Sequence, residues 1–509
     1  MSSASRAVRR GDGSYLGEAT PQGPSLAAVA LAVLKEPRRA GAIATAWICG
    51  KRLRARQRLA ALVGIDHRLA LPAARMPRSV ESGDQTVSVI GAEALVPGAA
   101  DRIARVFAEH PDIQAVYGDG LIQEEPGGPV LPRLPPAFDP DLLMAVDYLG
   151  TLVVRRGALP EPVPAQPVEA AFLILEQYGA SAIGHLPGIL SGRSGRGPED
   201  AEAVIAARLA AARGHLDRTG LSASTALPEA DGVISVTHPL TETPLVSVIV
   251  PTRDRLDLLA PCLDSLRGRT VWPALEIIVC DNDSREAETH DYLRALAREG
   301  RGVVVRYPGP FNFAAMNNEA ARRARGRLLV FMNNDVEAFR PDWLVAMARH
   351  ALRKEVGAVG AKLLDGEGRI QHGGIILGTG GLATHGHRHF PGEAPGYLST
   401  LRAAHRVSAV TAACLMVEAD KFWSVGGFDA DNFAVDFNDV DLCLRLNVAG
   451  YRTMLAPEAV LHHREAASRR RTKAADDRHA TEVAAFKRQW GPLLVQDPHY
   501  NPGFDPALS

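Results

Sequence analysis

From about residue 244 the chain settles into an alternation that leaves few choices of fold. Short apolar runs, "LVSVIVP" (245–251), "LEIIVC" (275–280), "GVVVRYP" (302–308) and "RLLVFM" (327–332), are separated by helical stretches such as "DLLAPCLDSL" (257–266) and "NFAAMNNEAARRARG" (312–326). The runs are mainly apolar, and Leu328–Met332, apolar throughout and sharply bounded, suits a strand buried on both faces. Strands alternating with helices of this length imply right-handed βαβ units and a mainly parallel sheet. With 46% hydrophobic and 23% charged residues, the chain can build a large core. Its 509 residues suggest several domains. A formal net charge of -1 gives no argument for a nucleic-acid partner or for global attraction to an anionic membrane.

In open α/β sheets ligands bind at the carboxyl ends of the strands. Three of those ends are polar here: "PTRDR" (251–255), "DNDS" (281–284) and "NND" (333–335). Any one alone reads equally well as a turn, because Asn, Asp and Ser are turn formers. Three on neighbouring strands point to one ligand pocket. No GxGxxG follows the first strand and no GxxxxGK[ST] occurs, which argues against a Rossmann dinucleotide site and a P-loop. Carboxylates, amides and arginines suit a nucleotide base and ribose with a phosphate nearby.

The ordered set "VSVIVPTRDR", "LEIIVCDNDS", "NFAAMNNEAARRARGRLLVFMNNDV" and "GGFDADNFAVDFNDVDLCLRLNVAGY" resembles a family 2 glycosyltransferase domain of the GT-A fold over about 244–470. "GAVGAKLLDGEGRIQHGGIILG" and "VSAVTAACLMVEADKF" resemble the subgroup associated with O-antigen or rhamnan synthesis. The resemblance implies an α/β GT-A fold and an inverting enzyme that moves a sugar from a UDP- or dTDP-sugar to a hydroxyl of a growing surface polysaccharide. The rhamnan-type likeness suggests dTDP-rhamnose. It also implies that Pro251, Thr252, Arg253, Asp254, Arg255, Asp281, Asn317 and Asn334 line the donor. Asp335 would hold a divalent metal, Mn²⁺ or Mg²⁺, with His462 or His463 completing the site, and Asp439 would be the catalytic base.

Physical chemistry bears on each assignment. Mg²⁺ and its relatives prefer oxygen ligands and are often held by one or two carboxylates plus substrate phosphates. Asn333 stands where a plain DxD has its first Asp, so one negative charge is missing and metal binding without nucleotide should be weak. Adjacent histidines at a strand end face opposite ways, so at most one of His462 and His463 is a ligand. Asp439 lies where a helix begins, a favoured place for Asp as a cap. The same helix dipole is expected to hold it ionised, as a base requires. Asp441 and Arg445 read as supports on that helix. His385, His387 and His389, in "THGHRHFPGEAPGY", read as an acceptor-side loop rather than a zinc site, since no cysteine or carboxylate completes the set.

The expected divisions are a helical segment over 1–84, a degenerate GT-A-like domain over 85–195, a helical linker over 196–243, the catalytic domain over 244–470, and a C-terminal helix and tail over 471–509. In the first half "AVYGDG" takes the place of a DxD strand ending on Asp119, but intact counterparts of "VSVIVPTRDR" and "NDVDLCLR" are missing. Five scattered cysteines (Cys49, Cys262, Cys280, Cys414, Cys443) suggest buried free thiols. The apolar run "LAAVALAVL" (26–34) is too short to span a bilayer. The expected setting is the cytoplasm, including the cytoplasmic face of the inner membrane, where peripheral contact would meet a lipid-linked saccharide or glycan acceptor. The competing reading is a non-catalytic scaffold or sugar-binding subunit of a polysaccharide-synthesis complex.

Overall fold

The computed structural model describes residues 36–48, 58–59, 87–125, 128, 130–195, 201–464 and 472–504. Most of the helical segment expected over 1–84, Cys49, residues 196–200 and the basic run up to residue 471 lie outside the described residues. The described part forms two units. One is residues up to His238 with Tyr397–Thr400 and the residues from Pro498; the other is Pro239–Gly396 with Leu401–Asp497. No helix among the described residues is long and apolar enough to cross a membrane.

The first unit is built on a mixed sheet with the strands Val87–Gly91, Thr151–Arg155, Ala115–Gln123, Ile183–Ser194 and Ala94–Leu95 in that order. The strand expected to end on Asp119 runs on to Gln123, with register shifts on both sides of Asp119 that mark a bulge. The Ala201–Arg218 helix, within the stretch read as a linker, packs on the Pro167–Tyr178 helix. There the Phe172 and His215 rings stack at 4.3 Å, and Arg218 Nε donates to Glu176 at 2.5 Å.

The second unit carries the alternation. Its principal strands are β1 (Val246–Thr252), β2 (Leu275–Asp281), β3 (Val303–Arg306), β4 (Leu328–Met332), β5 (Val336–Ala338), β6 (Val356–Leu364), β7 (Cys414–Glu418) and β8 (Arg452–His463), ordered β3-β2-β1-β4-β7-β6-β8-β5. The parallel pairing expected from the βαβ units holds from β3 through β4. Beyond β4 the sheet is mixed: β7 enters antiparallel to both β4 and β6, while β6 and β8 are parallel. A strand reached without a covering crossover helix has no reason to run parallel, and β7 is such a strand.

β4 explains the apolar runs. It lies between β1 and β7, so both its edges are paired, and all five of its residues are buried because a core lies on each face. Leu329 and Phe331 join one core with Ile249, Ile278 and Met316. Leu328, Val330 and Met332 join the other with Val248, Leu263 and Trp343. This is the period of two expected of a pleated strand. Cys262, Cys280, Cys414 and Cys443 are all free and buried in these cores.

Candidate active site

The three polar strand ends lie at one end of the sheet, since Asp281 is in register with Thr252 and β4 runs parallel to β1. Hydrogen bonds tie them together. Asn334 Nδ2 donates to Thr252 Oγ1 at 3.0 Å. The Ser284 hydroxyl donates to Asp281 Oδ1 at 2.5 Å and accepts the Asp254 N–H at 2.8 Å. Asp254 and Arg255 have φ of 53° and 56°, a left-handed turn that folds the loop back. One Asp254 carboxylate oxygen then accepts from Arg285 N and Glu286 N at 2.6 and 2.9 Å. That oxygen holds the second loop. Arg255 forms a fork with Asp257 at 2.9 and 2.8 Å, and Arg253 is exposed, so both arginines stand at the rim. Pro251 and Thr252 are buried at the end of β1. Asn317 is fully buried in the Phe313–Arg323 helix; its Nδ2 donates to Phe313 O at 2.8 Å and its Oδ1 has no partner.

Strand pairing decides between the two late histidines. β5 follows directly on Asn333–Asp335 and pairs antiparallel with the end of β8, setting Val336 opposite His463 and Glu337 opposite His462. His463 Nε2 therefore lies 3.2 Å from Asp335 Oδ1. His462 faces away and packs against the Phe339 ring, tilted by 55° with centroids 4.4 Å apart. No group of three or more His, Cys, Asp or Glu able to hold a metal occurs among the described residues. What this corner offers is one carboxylate and one imidazole whose Nδ1 is buried without a partner. That donor set fits a divalent ion whose remaining positions are filled by phosphate oxygens and water.

Asp439 sits in the first turn of the Asn438–Val448 helix. It does not cap that helix. The N-cap position is Phe437, and Asp439 Oδ2 accepts the Ala412 N–H at 3.1 Å while Oδ1 accepts from Val440 N at 2.9 Å. Burial pushes its carboxyl above the ordinary aspartate value, and the Ala412 and Val440 N–H groups and the Thr411 hydroxyl pull only part of the way back. This is opposite to the direction expected from the helix dipole alone, because desolvation outweighs it. The neighbouring Ala413 O accepts the Asn333 N–H at 3.1 Å. One segment, 411–413, thus holds both the end of β4 and Asp439. Buried Asp441 pairs with part-buried Arg445, with Nη2–Oδ2 at 2.6 Å.

The sequence reading missed His372. It lies on the Ile370–His372 strand, fully buried, with its Nδ1 3.0 Å from Nδ1 of His385. His385 is the end of the Ala383–His385 strand, so it is not part of a free loop with His387 and His389. Thr411 N donates to His372 Nε2 at 3.4 Å, which places the His372 proton on Nδ1 and makes it the donor to His385. Burial drives both rings toward the neutral form, His372 well below the ordinary histidine value and His385 to about 3. A lone histidine in "IQHGG" carries no local signal of this pairing. Since the folded rings refuse protons that the unfolded chain accepts, stability falls as pH drops below about 6.5, at up to about 1.4 kcal/mol per pH unit for each ring. Urea denaturation at several pH values should therefore show a shallower acid dependence for His372→Gln than for wild type. Equal slopes contradict the neutral pair.

Residues 247–374 match the family model described as glycosyl transferase family 2. The uncharacterized protein y4gI of Sinorhizobium fredii is 36% identical over 426 residues, which cover 80% of this chain and 47% of that protein. The O-antigen biosynthesis protein RfbC of Myxococcus xanthus is 36% identical over 434 residues, covering 82% of this chain and 33% of its own length. The chain thus spans less than half the length of either relative. A solved mannosyltransferase, PcManGT from Pyrobaculum calidifontis in complex with GDP-Man and Mn²⁺, aligns with a TM-score of 0.37 at 20% identity, over 53% of this chain and 70% of its own.

Proposed function

We propose, from the premise that this chain belongs to glycosyltransferase family 2 through its second unit, that it moves a sugar from a nucleotide-diphosphate donor to a hydroxyl of a bacterial surface polysaccharide. The observation that carries this is the 411–413 segment, which joins the β4 end through Ala413 O and Asp439 through Ala412 N. A donor pocket and a candidate base are thereby held by adjacent peptide groups. The likeness to an O-antigen biosynthesis protein supports the polysaccharide acceptor. A UDP- or dTDP-sugar, with dTDP-rhamnose foremost, remains the expected donor.

In this reading Pro251, Thr252, Asp281 and Asn334 line the nucleoside, with Arg253 and Arg255 at the rim and Asn317 behind. Asp335 and His463 would hold Mn²⁺ or Mg²⁺. When bound, the ion neutralises charge on the departing diphosphate. Asp439 takes the proton from the acceptor hydroxyl as that oxygen attacks the anomeric carbon. A single displacement through an oxocarbenium-like transition state inverts the configuration there. The burial that raises the carboxyl pKa of Asp439 brings it nearer the working pH, where a base is most effective. The acceptor is a glycan or a lipid-linked saccharide, met at the cytoplasmic face of the inner membrane through peripheral contact.

The first unit is read as non-catalytic. Its strand-level carboxylate, Asp119, is fully buried, and its oxygens accept from Asn501 Nδ2 at 2.7 Å and Gly188 N at 2.6 Å. With no exposed surface and both oxygens engaged, Asp119 is closed to a metal or a nucleotide, whereas Asp439 keeps part of its surface open. Titration calorimetry with UDP- and dTDP-sugars, with and without Mn²⁺, tests the pocket. Binding strengthened by Mn²⁺ and weakened about tenfold or more in Asp335→Ala is the expected result. Donor binding indifferent to both removes the metal assignment, and turnover absent despite binding favours a scaffold.

A further inference from the structure

The last long helix of the second unit, Lys473–Trp490, concentrates its buried side chains on the turn that delivers Asp439. Glu482 is 3% exposed, and its carboxylate accepts from Asp436 N at 2.5 Å and from Val435 N at 3.3 and 3.4 Å. One helical turn on, Phe486 stacks face to face on Phe437 at 4.6 Å and meets Phe433 edge-on at 6.0 Å. A further turn on, Gln489 Nε2 and Trp490 Nε1 donate to Asp441 Oδ1 at 2.9 and 3.1 Å. His479 Nδ1 lies 3.0 Å from Asp436 Oδ2. Residues 479, 482, 486 and 490 form one stripe at helical spacing, and the stripe covers the segment 433–441.

That segment contains a residue that needs holding. Phe437 has φ of 62°, a left-handed conformation that costs a bulky aromatic about 1–3 kcal/mol and persists only where its surroundings over-determine it. Packing on Phe486 alone would serve a core. A buried carboxylate aimed at two successive backbone N–H groups does something more specific, because it fixes the peptide planes just before the helix that carries Asp439. The arrangement has a cost: burial pushes the Glu482 carboxyl upward, and Arg478 Nε stands 3.6 Å from it.

We infer that Glu482 is a positioning residue for the transfer reaction, fixing the 433–437 turn so that Asp439 faces the acceptor hydroxyl. This makes the Lys473–Trp490 helix part of the reaction site and not a tail beyond it. The inference rests on the reading of Asp439 as the base.

The test uses two near-isosteric variants of the full chain. Glu482→Met keeps the length of the side chain without an acceptor; Glu482→Gln keeps one acceptor oxygen. Hydrogen exchange of the peptide spanning 433–441 should accelerate about tenfold or more in Glu482→Met, stay near wild type in Glu482→Gln, and leave the β1–β4 peptides unchanged. Nucleoside diphosphate release from UDP- and dTDP-sugars should fall about 10- to 100-fold in kcat in Glu482→Met, with donor KM unchanged and the loss largely restored in Glu482→Gln. Unchanged exchange over 433–441 overturns the inference whether or not a donor is turned over. So does wild-type kcat in Glu482→Met, or a loss shared equally by kcat and donor KM. Asp439→Asn, assayed alongside, separates the two claims. If it abolishes release while Glu482→Met does not, only the positioning role fails. If it releases nucleotide at the wild-type rate, the base assignment itself has failed.

Discussion

Asp439→Asn is expected to lower sugar transfer by about 10²- to 10⁴-fold, the span that general-base removal costs, while leaving donor affinity unchanged. The substitution keeps shape and one acceptor oxygen, so either the Ala412 or the Val440 N–H keeps its bond. Losing the other costs about 1 kcal/mol, too little to unfold a domain. What disappears is basicity. The wild-type pH profile carries the same signature. Because burial raises the Asp439 carboxyl above the ordinary aspartate value, the ionised base is lost on acidification at a higher pH than an exposed aspartate would show. The acid limb of kcat should therefore lie above the ordinary aspartate range. An acid limb at or below the exposed-aspartate value in wild type contradicts the assignment.

Asp441→Ala is expected to destabilise the second unit by about 1.5–3 kcal/mol, the span for hydrogen bonds to a charged group, because the Arg445 left behind is only partly buried. Asp441 is 0% exposed. Its Oδ2 accepts from Arg445 Nε at 2.8 Å and lies 2.6 Å from Nη2 of the same guanidinium, and its Oδ1 takes the Gln489 and Trp490 donors. Alanine leaves the Arg445 guanidinium and the Trp490 indole N–H without their carboxylate acceptor, the indole in a buried place. The transition of the second unit in urea, followed by fluorescence, should move accordingly. The Lys473–Trp490 helix should lose exchange protection before the central strands do. A loss below about 1 kcal/mol would mean that the network is redundant.

Much of the site was legible in the sequence because it depends on local pattern. The apolar runs marked β1, β2, β3 and β4, and their polar ends marked the pocket, since strand ends in a parallel run must share one edge. Where the reading stopped, the missing information was long-range. Nothing near His462 and His463 says which one faces Asp335; the pairing of β5 with β8 does. The antiparallel entry of β7 has no local signature either, because a strand's own residues do not report the direction of its neighbours. At Asp254 the left-handed turn at 254–255 aims one oxygen at two backbone N–H groups, a structural task that its local sequence does not announce. Glu482 sits in a helix rich in charge, "KAADDRHATEVAAFKRQW", where a glutamate reads as solvent-facing until the 433–437 turn is seen beneath it.

A strand-end pocket that binds a nucleotide-sugar beside an Asp439 that activates the acceptor must release nucleotide only while that carboxylate is present. The most direct measurement is nucleoside diphosphate release from UDP- and dTDP-sugars in the presence of Mn²⁺ and acceptor glycans, with wild type and Asp439→Asn side by side and donor binding measured for both. The predicted result is release from at least one donor by wild type, collapse of release in the variant, and equal binding. Equal release by the two proteins, or no binding of any nucleotide-sugar by wild type, would contradict it.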